Sequence, residues 1–161
     1  MTSESLGETR ALIRRVFSYD AVLVSAWFVA FDRGEDLLAR AVRRLAGIKE
    51  FLGLWVVLDD DGSVVGTTGL YRKHSDANEA VWLSWFCVAP EHRGRGVGGR
   101  LLDFSIERAR RTGARHLRLF TSNIPAEACA QGLYESRGLV AYKSRGLGAG
   151  YRIIWRQLSL G

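Results

Sequence analysis

The chain has 161 residues, 47% apolar and 25% charged, the balance of an ordinary globular domain. That length suits one domain with a proper core, and only the first few polar residues look unstructured. The formal net charge of +6 comes mostly from scattered arginines. No zinc-finger spacing or single-strand-binding aromatic pattern accompanies them, so a nucleic-acid partner is not expected.

The two cysteines, Cys87 and Cys129, form no CxxC pair and no metal spacing with His74, His92 and His116. Both sit among apolar residues and read as buried free thiols in a reducing cytoplasm, with no metal.

In chain order, Leu12, Ile13, Val16 and Phe17 make one stripe of a helix over 8–17. The run Ala21–Phe31 is apolar but for Ser25 and reads equally as helix or strand. It is too short to span a bilayer and starts too late for a secretory signal, so no membrane is expected. Leu38, Ala41, Val42 and Leu45 recur at i, i+3, i+4 and i+7, which predicts a core-facing helix over 35–46 stopped by Gly47.

After Gly53 the pattern changes. Leu54–Leu58 and Ser63–Tyr71 are strand-like and flank an Asp-Gly turn, which reads as a hairpin. A polar loop follows, then the nearly continuous apolar run Ala80–Val88, a strand buried on both faces. A basic glycine-rich loop comes next. It opens into an amphipathic helix that runs to about Thr112, with Leu101, Leu102, Ser105, Ile106 and Ala109 facing inward. Residues 115–121 form a strand. A helix follows from Asn123 or Ile124 to Gly138, with Pro125 in its first turn. Two strands near 139–145 and 150–158 close the chain. Strand–helix–strand over 80–122 predicts a parallel pair, and the hairpins predict antiparallel ones. The fold class is therefore α/β (α+β): a mixed, mostly antiparallel sheet with helices on both faces. It forms a single domain over 1–161, with a helical part at 1–50 and the sheet core at 53–158.

The loop carries the chemistry. Arg93, Gly94, Arg95, Gly96, Val97, Gly98, Gly99 and Arg100 lie between a strand and a helix. Exposed backbone N–H groups at a helix N-terminus bind phosphate oxygens, and the helix dipole favours the negative charge. Gly94, Gly96 and Gly99 also fit GxGxxG. However, the acid that should end the next strand and bind ribose is absent from Leu119-Phe120-Thr121-Ser122. A Walker A loop fails for lack of Gly-Lys-Ser/Thr.

Arg93-x-x-Gly96-x-Gly98, preceded by Val88-x-Pro90 and followed by an amphipathic helix, resembles the coenzyme A signature of the GNAT (Gcn5-related) N-acetyltransferase superfamily. Leu133-Tyr134-Glu135-Ser136-Arg137-Gly138-Leu139 resembles that superfamily's Leu-Tyr-Glu-Lys-x-Gly-Phe segment. The resemblance covers roughly 53–158, and the usual first strand is not evident in the first 50 residues. It implies acetyl-CoA as co-substrate and transfer of the acetyl group to a primary amine of a small molecule or peptide by direct attack. A non-catalytic acyl-CoA-binding module is the alternative.

The resemblance also implies residue roles. Loop amides of 93–99 would bind the pyrophosphate, with Arg93, Arg95 and Arg100 adding charge. Phe86, Cys87 and Val88 would pair with the pantetheine arm. Tyr134 would protonate the departing thiolate. Many relatives carry Asn where this chain has Glu127, and Asn123 is the nearest substitute for a cofactor contact. Relatives often carry a Glu within the strand before the loop. Trp82–Val88 holds no acid, which leaves Glu79 as candidate base beside the weaker His74 and Glu127, or else an ordered water. Trp82, Trp85 and Phe86 read as core or as acceptor-pocket lining. Similar proteins are often dimers, so a homodimer is left open.

Overall fold

Three helices precede the sheet in the computed structural model, which describes residues 3–17, 21–32 and 36–161. They are α1 (Ser3–Val16), α2 (Ala21–Asp32) and α3 (Leu37–Leu45). The apolar run that sequence left undecided is thus helical. The α1 stripe packs as expected, with Leu12 and Ile13 buried and Val16 and Phe17 partly so. The helix begins five residues ahead of the expected start.

The expected core stripe of α3 does not reach the core. Asp36 caps the helix by accepting from the Ala39 N–H at 2.7 Å. Ala39 is its only buried side chain, and the arc bearing Ala39 and Val42 rests on α2 and β1 (Ile48–Leu58). Leu37, Leu38, Ala41 and Leu45 consequently face out. Gly47, at φ +68°, ends the turn.

β1 pairs antiparallel with β2 (Val64–Lys73), and β2 with β3 (Ala80–Val88). The chain then crosses through α4 (Val97–Arg110) to β4 (His116–Ser122), which lies parallel to β3. α5 (Pro125–Ser136), β5 (Val140–Gly148) and β6 (Tyr151–Ser159) complete the order β1-β2-β3-β4-β6-β5. No described strand precedes β1, which starts six residues before the strand-like segment Leu54–Leu58.

The sheet is covered on both sides. On one face, Leu12, Ile13 and Phe28 of α1 and α2 meet Val65, Tyr71 and Trp82. On the other, Leu102, Ile106 and Ala109 of α4 and Tyr134 of α5 meet Leu70, Val81, Leu83 and Leu119. The inward set read from the α4 sequence is buried in full. Its outward Glu107 and Arg111 pair at 3.2 Å.

Beneath α5 lies a polar network not foreseen from sequence. Arg156, 5% exposed, donates to Gln131 Oε1 at 3.0 Å, the Leu139 carbonyl at 2.9 Å and Glu135 Oε1 at 2.6 Å. With these acceptors satisfied, a buried guanidinium is tolerated and holds α5 against β6.

Candidate active site

The site begins with an irregularity in β3. Thr67 lies opposite Cys87 and Gly69 opposite Ser84, so three steps of β3 run against two of β2. The extra residue makes a bulge at Trp85, whose φ is +47°, a strained value for a non-glycine residue. Without it, Trp85 would share a face with Leu83. Instead Trp85 and Cys87 turn to the α1 face while Phe86 and Val88 turn to the α4 face.

The bulge coincides with a parting of strands. β3 and β4 pair only at Ala80–His116, Val81–Leu117 and Trp82–Arg118. Beyond Trp82, β4 continues along β6, and 83–88 have no β4 partner among the described residues. Cys87 turns its backbone groups toward β2, as does Ala89, whose N–H donates to the Val65 carbonyl, so what the Phe86–Val88 stretch offers an extended ligand on the β4 side comes from Phe86 and the Val88 N–H.

The basic loop closes the end of this gap. Pro90–His92 form one 3-10 turn, and Arg93 Nε donates to the Val88 carbonyl at 3.1 Å, tying the loop to the strand end. Gly94 and Gly96 take φ +74° and +77°. Gly96 is the N-cap of α4 with no side-chain cap, and the first helical bond runs from the Arg100 N–H to its carbonyl. The amides of Val97, Gly98 and Gly99 are left without helical acceptors, in a stretch of chain that carries the exposed Arg95 and Arg100. The glycines differ in purpose. A Cβ on Gly98 would make ordinary contacts with Leu133 at 3.4 Å and Val88 at 3.8 Å, so this position, unlike Gly96, has room for a small side chain. Gly99 stands 3.0 Å from an Arg137 nitrogen by the same measure. Arg137, whose role the sequence did not reveal, is held by Asp103 at 3.0 and 3.1 Å and ties α5 to α4.

Tyr134 comes to the same place. It is 6% exposed, and its ring lies 5.8 Å from that of Phe86. Burial raises the phenol pKa above its usual value, and the Glu127 carboxylate adds to the effect. The group stays protonated at neutral pH. Glu127 itself accepts from Thr121 Oγ1 and the Ser122 N–H, both at 2.6 Å, and so ties the first turn of α5 to the end of β4.

Cys87 is buried, and burial pushes its thiol up to about 12, which removes it as a nucleophile at neutral pH. Cys129, expected to be buried too, is exposed. It falls beside, not on, the inward stripe of Ala130, Leu133 and Tyr134. Iodoacetamide should accordingly label one thiol in the native protein and two after unfolding. Rapid native labelling of both would contradict this packing of Cys87.

Two candidates are not brought to the gap. Glu79 lies before β3, at the end away from Val88; nine strand steps put it roughly 30 Å from that residue. Its carboxylate faces Arg118 at 3.5 Å. Asn123 is committed elsewhere: its Oδ1 accepts from the Arg152 N–H and its Nδ2 donates to the Gly150 carbonyl, each at 2.8 Å. It braces the β5–β6 hairpin. Trp82 is a core residue, 5% exposed, with its Nε1 donating to the Asp76 carboxylate at 3.0 and 3.1 Å. The bulge instead presents two buried hydroxyls that find no hydrogen-bond partner among the described residues, Ser84 Oγ and Thr67 Oγ1. They lie on adjoining strands, where Gly69 makes room: a Cβ there would stand 2.6 Å from Ser84 Oγ. No described group of His, Cys, Asp and Glu residues has the arrangement of a metal site.

Known proteins share this architecture. The family model for the acetyltransferase (GNAT) family matches residues 21–139. A probable N-acetyltransferase, camello, from Xenopus tropicalis is 30% identical over 144 residues, covering 85% of this chain. The chain spans 64% of that relative's length. A GNAT-family protein from Desulfovibrio desulfuricans superposes with a TM-score of 0.70 at 23% identity, over 94% of this chain and 92% of its own. A Salmonella typhimurium protein solved with its cofactor acetyl-CoA gives a TM-score of 0.57 at 25% identity, over 77% and 72% of the two chains. The matched family model spans α2 to α5 with the bulged strand, the glycine loop and Tyr134, and the chain belongs to the GNAT acetyltransferase family.

Proposed function

We propose that the protein transfers the acetyl group of acetyl-CoA to a primary amine of a small molecule or peptide by direct attack. The observation that carries this reading is a convergence. An unpaired strand edge, a bare helix N-terminus and a buried phenol meet at one gap in the sheet.

The residues present fit the co-substrate. Amides of 94–99, with the charge of Arg95 and Arg100 in the same loop, suit a pyrophosphate, and Gly96 leaves the approach to them open. The β4-facing edge of Phe86–Val88 suits the amides of a pantetheine arm. Acetyl-CoA supplies a thioester, an acetyl group already activated for transfer. The chain's part is to hold that thioester in the gap beside an amine, so that attack becomes effectively unimolecular. A backbone N–H near Val88 donates to the oxygen on which charge develops. Tyr134 gives its proton to the departing sulfur. β3 holds no acid, so the amine sheds its proton to solvent through the open gap. In this reading Glu79 stands too far off to serve as base.

Calorimetric titration with acetyl-CoA, free coenzyme A and NADH tests the reading. Micromolar binding of both coenzyme A forms and none of NADH is the expected result. Equal binding of NADH, or no binding of coenzyme A, would remove the loop assignment.

A further inference from the structure

Nine residues of α3, Leu-Leu-Ala-Arg-Ala-Val-Arg-Arg-Leu, are arranged opposite to the usual logic of a surface helix. A helix advances about 100° per residue, so Leu37, Ala41 and Leu45 form one row, with Leu38 beside it. In a globular protein that stripe packs inward. Here the body takes the opposite arc, through Ala39, and the row is left in water: Leu37 is 80% exposed, Leu38 50% and Leu45 90%. Arg40 and Arg44 flank it, both exposed and neither in an ion pair among the described residues. Both form of the helix and placement of its leucines are independent of the proposed chemistry at the gap.

We infer that α3 is a membrane-surface element that lays its leucines into the interface of an anionic lipid bilayer. Arg40 and Arg44 would then sit against the headgroups. A basic amphipathic helix with an outward apolar row is the form such elements take, and it needs no spanning segment. None of the described helices is long and apolar enough to cross a membrane. Charge and area favour lipid over a second copy. The chain carries a net charge of +6, which suits an anionic surface. An antiparallel two-fold contact through this row would bring the arginines of both copies to one rim. A helix of nine residues is about 14 Å long, and its face falls far below the ~800 Å² that a stable protein partner buries on each side.

The test is co-sedimentation with vesicles of phosphatidylcholine alone and of phosphatidylcholine mixed with phosphatidylserine, at low and high salt. It uses the full chain, the double variant Leu37→Ser/Leu45→Ser, and the double variant Arg40→Gln/Arg44→Gln. The unmodified protein should pellet with the phosphatidylserine vesicles and be released by salt. Each double variant should bind at least about tenfold more weakly, with melting temperature unchanged because the altered side chains are exposed. Binding no better than to phosphatidylcholine alone would overturn the proposal. So would equal binding by both variants, which would place the lipid contact on another basic surface. A wild-type dimer in sedimentation velocity that the leucine variant turns into monomer would assign the row to a second copy instead.

Discussion

Replacing Gly96 with valine should lower acetyl-CoA affinity by about 100-fold or more, a loss near 2.7 kcal/mol. The residue is the N-cap of α4 at φ +77°, where a β-branched side chain is disfavoured by at least about 1–2 kcal/mol. The loop can relieve that strain only by rotating the peptide planes on either side, which turns the amides of 95–97 away from a bound phosphate. A side chain there would also displace Arg100, one of whose nitrogens lies 3.3 Å from the Cβ position. The core beneath is untouched, since Val97, Leu101 and Leu102 keep their contacts. The melting temperature should therefore fall by only about 2–8 °C. Calorimetric titration and a thermal melt of the same sample separate the two effects. Gly98→Ala serves as control. Its methyl group would make ordinary contacts with Leu133 and Val88, and alanine is the better helix former, so folding and binding should both persist. Undiminished coenzyme A binding by the valine variant would refute the loop assignment.

The sheet's element order was legible because its signals are local. Asp-Gly between two strand-like runs gives the first hairpin, a buried run gives β3, and Pro125 and Gly138 bracket α5. The loop was legible for the same reason: its glycines, arginines and flanking strand and helix are contiguous. What stayed hidden depends on contacts across the fold. No residue type in Leu83–Cys87 announces a bulge, and its trace is visible only in the register against Thr67 and Gly69. Ser84 and Thr67 become a pair only through that register. Glu79 drew notice by proximity in sequence, but a strand converts nine residues into roughly 30 Å. The α3 stripe misled for a different reason: periodicity shows that a helix has an apolar face but not which way that face turns. Cys129 shows the converse, since apolar neighbours in sequence on a helix lie about 100° apart in space.

Tyr134→Phe should reduce kcat by about 10²- to 10⁴-fold, the usual contribution of a positioned general acid, while the dissociation constant of acetyl-CoA changes less than about twofold. The substitution keeps the ring against Phe86 and the α4 core and removes only the hydroxyl. Burial raises the phenol pKa, so the sign of the pH effect follows: the acid form persists through neutral pH and beyond the ordinary tyrosine value near 10. Raising the pH toward 10 should thus not cost activity through Tyr134, and any rise in rate should track deprotonation of the acceptor amine. A single-turnover assay with a panel of small amines and peptides, run with both proteins, reads the chemical step apart from binding. Equal turnover by the two would remove Tyr134 from the mechanism. The absence of turnover by either, with coenzyme A binding intact, would carry a larger meaning. β3 holds no acid, so a chain of this kind can keep the loop and the gap yet lack a route for the amine's proton. Lasting inactivity across the panel would make the protein an acyl-CoA-binding module, with the phenol retained as a core residue packed on Phe86.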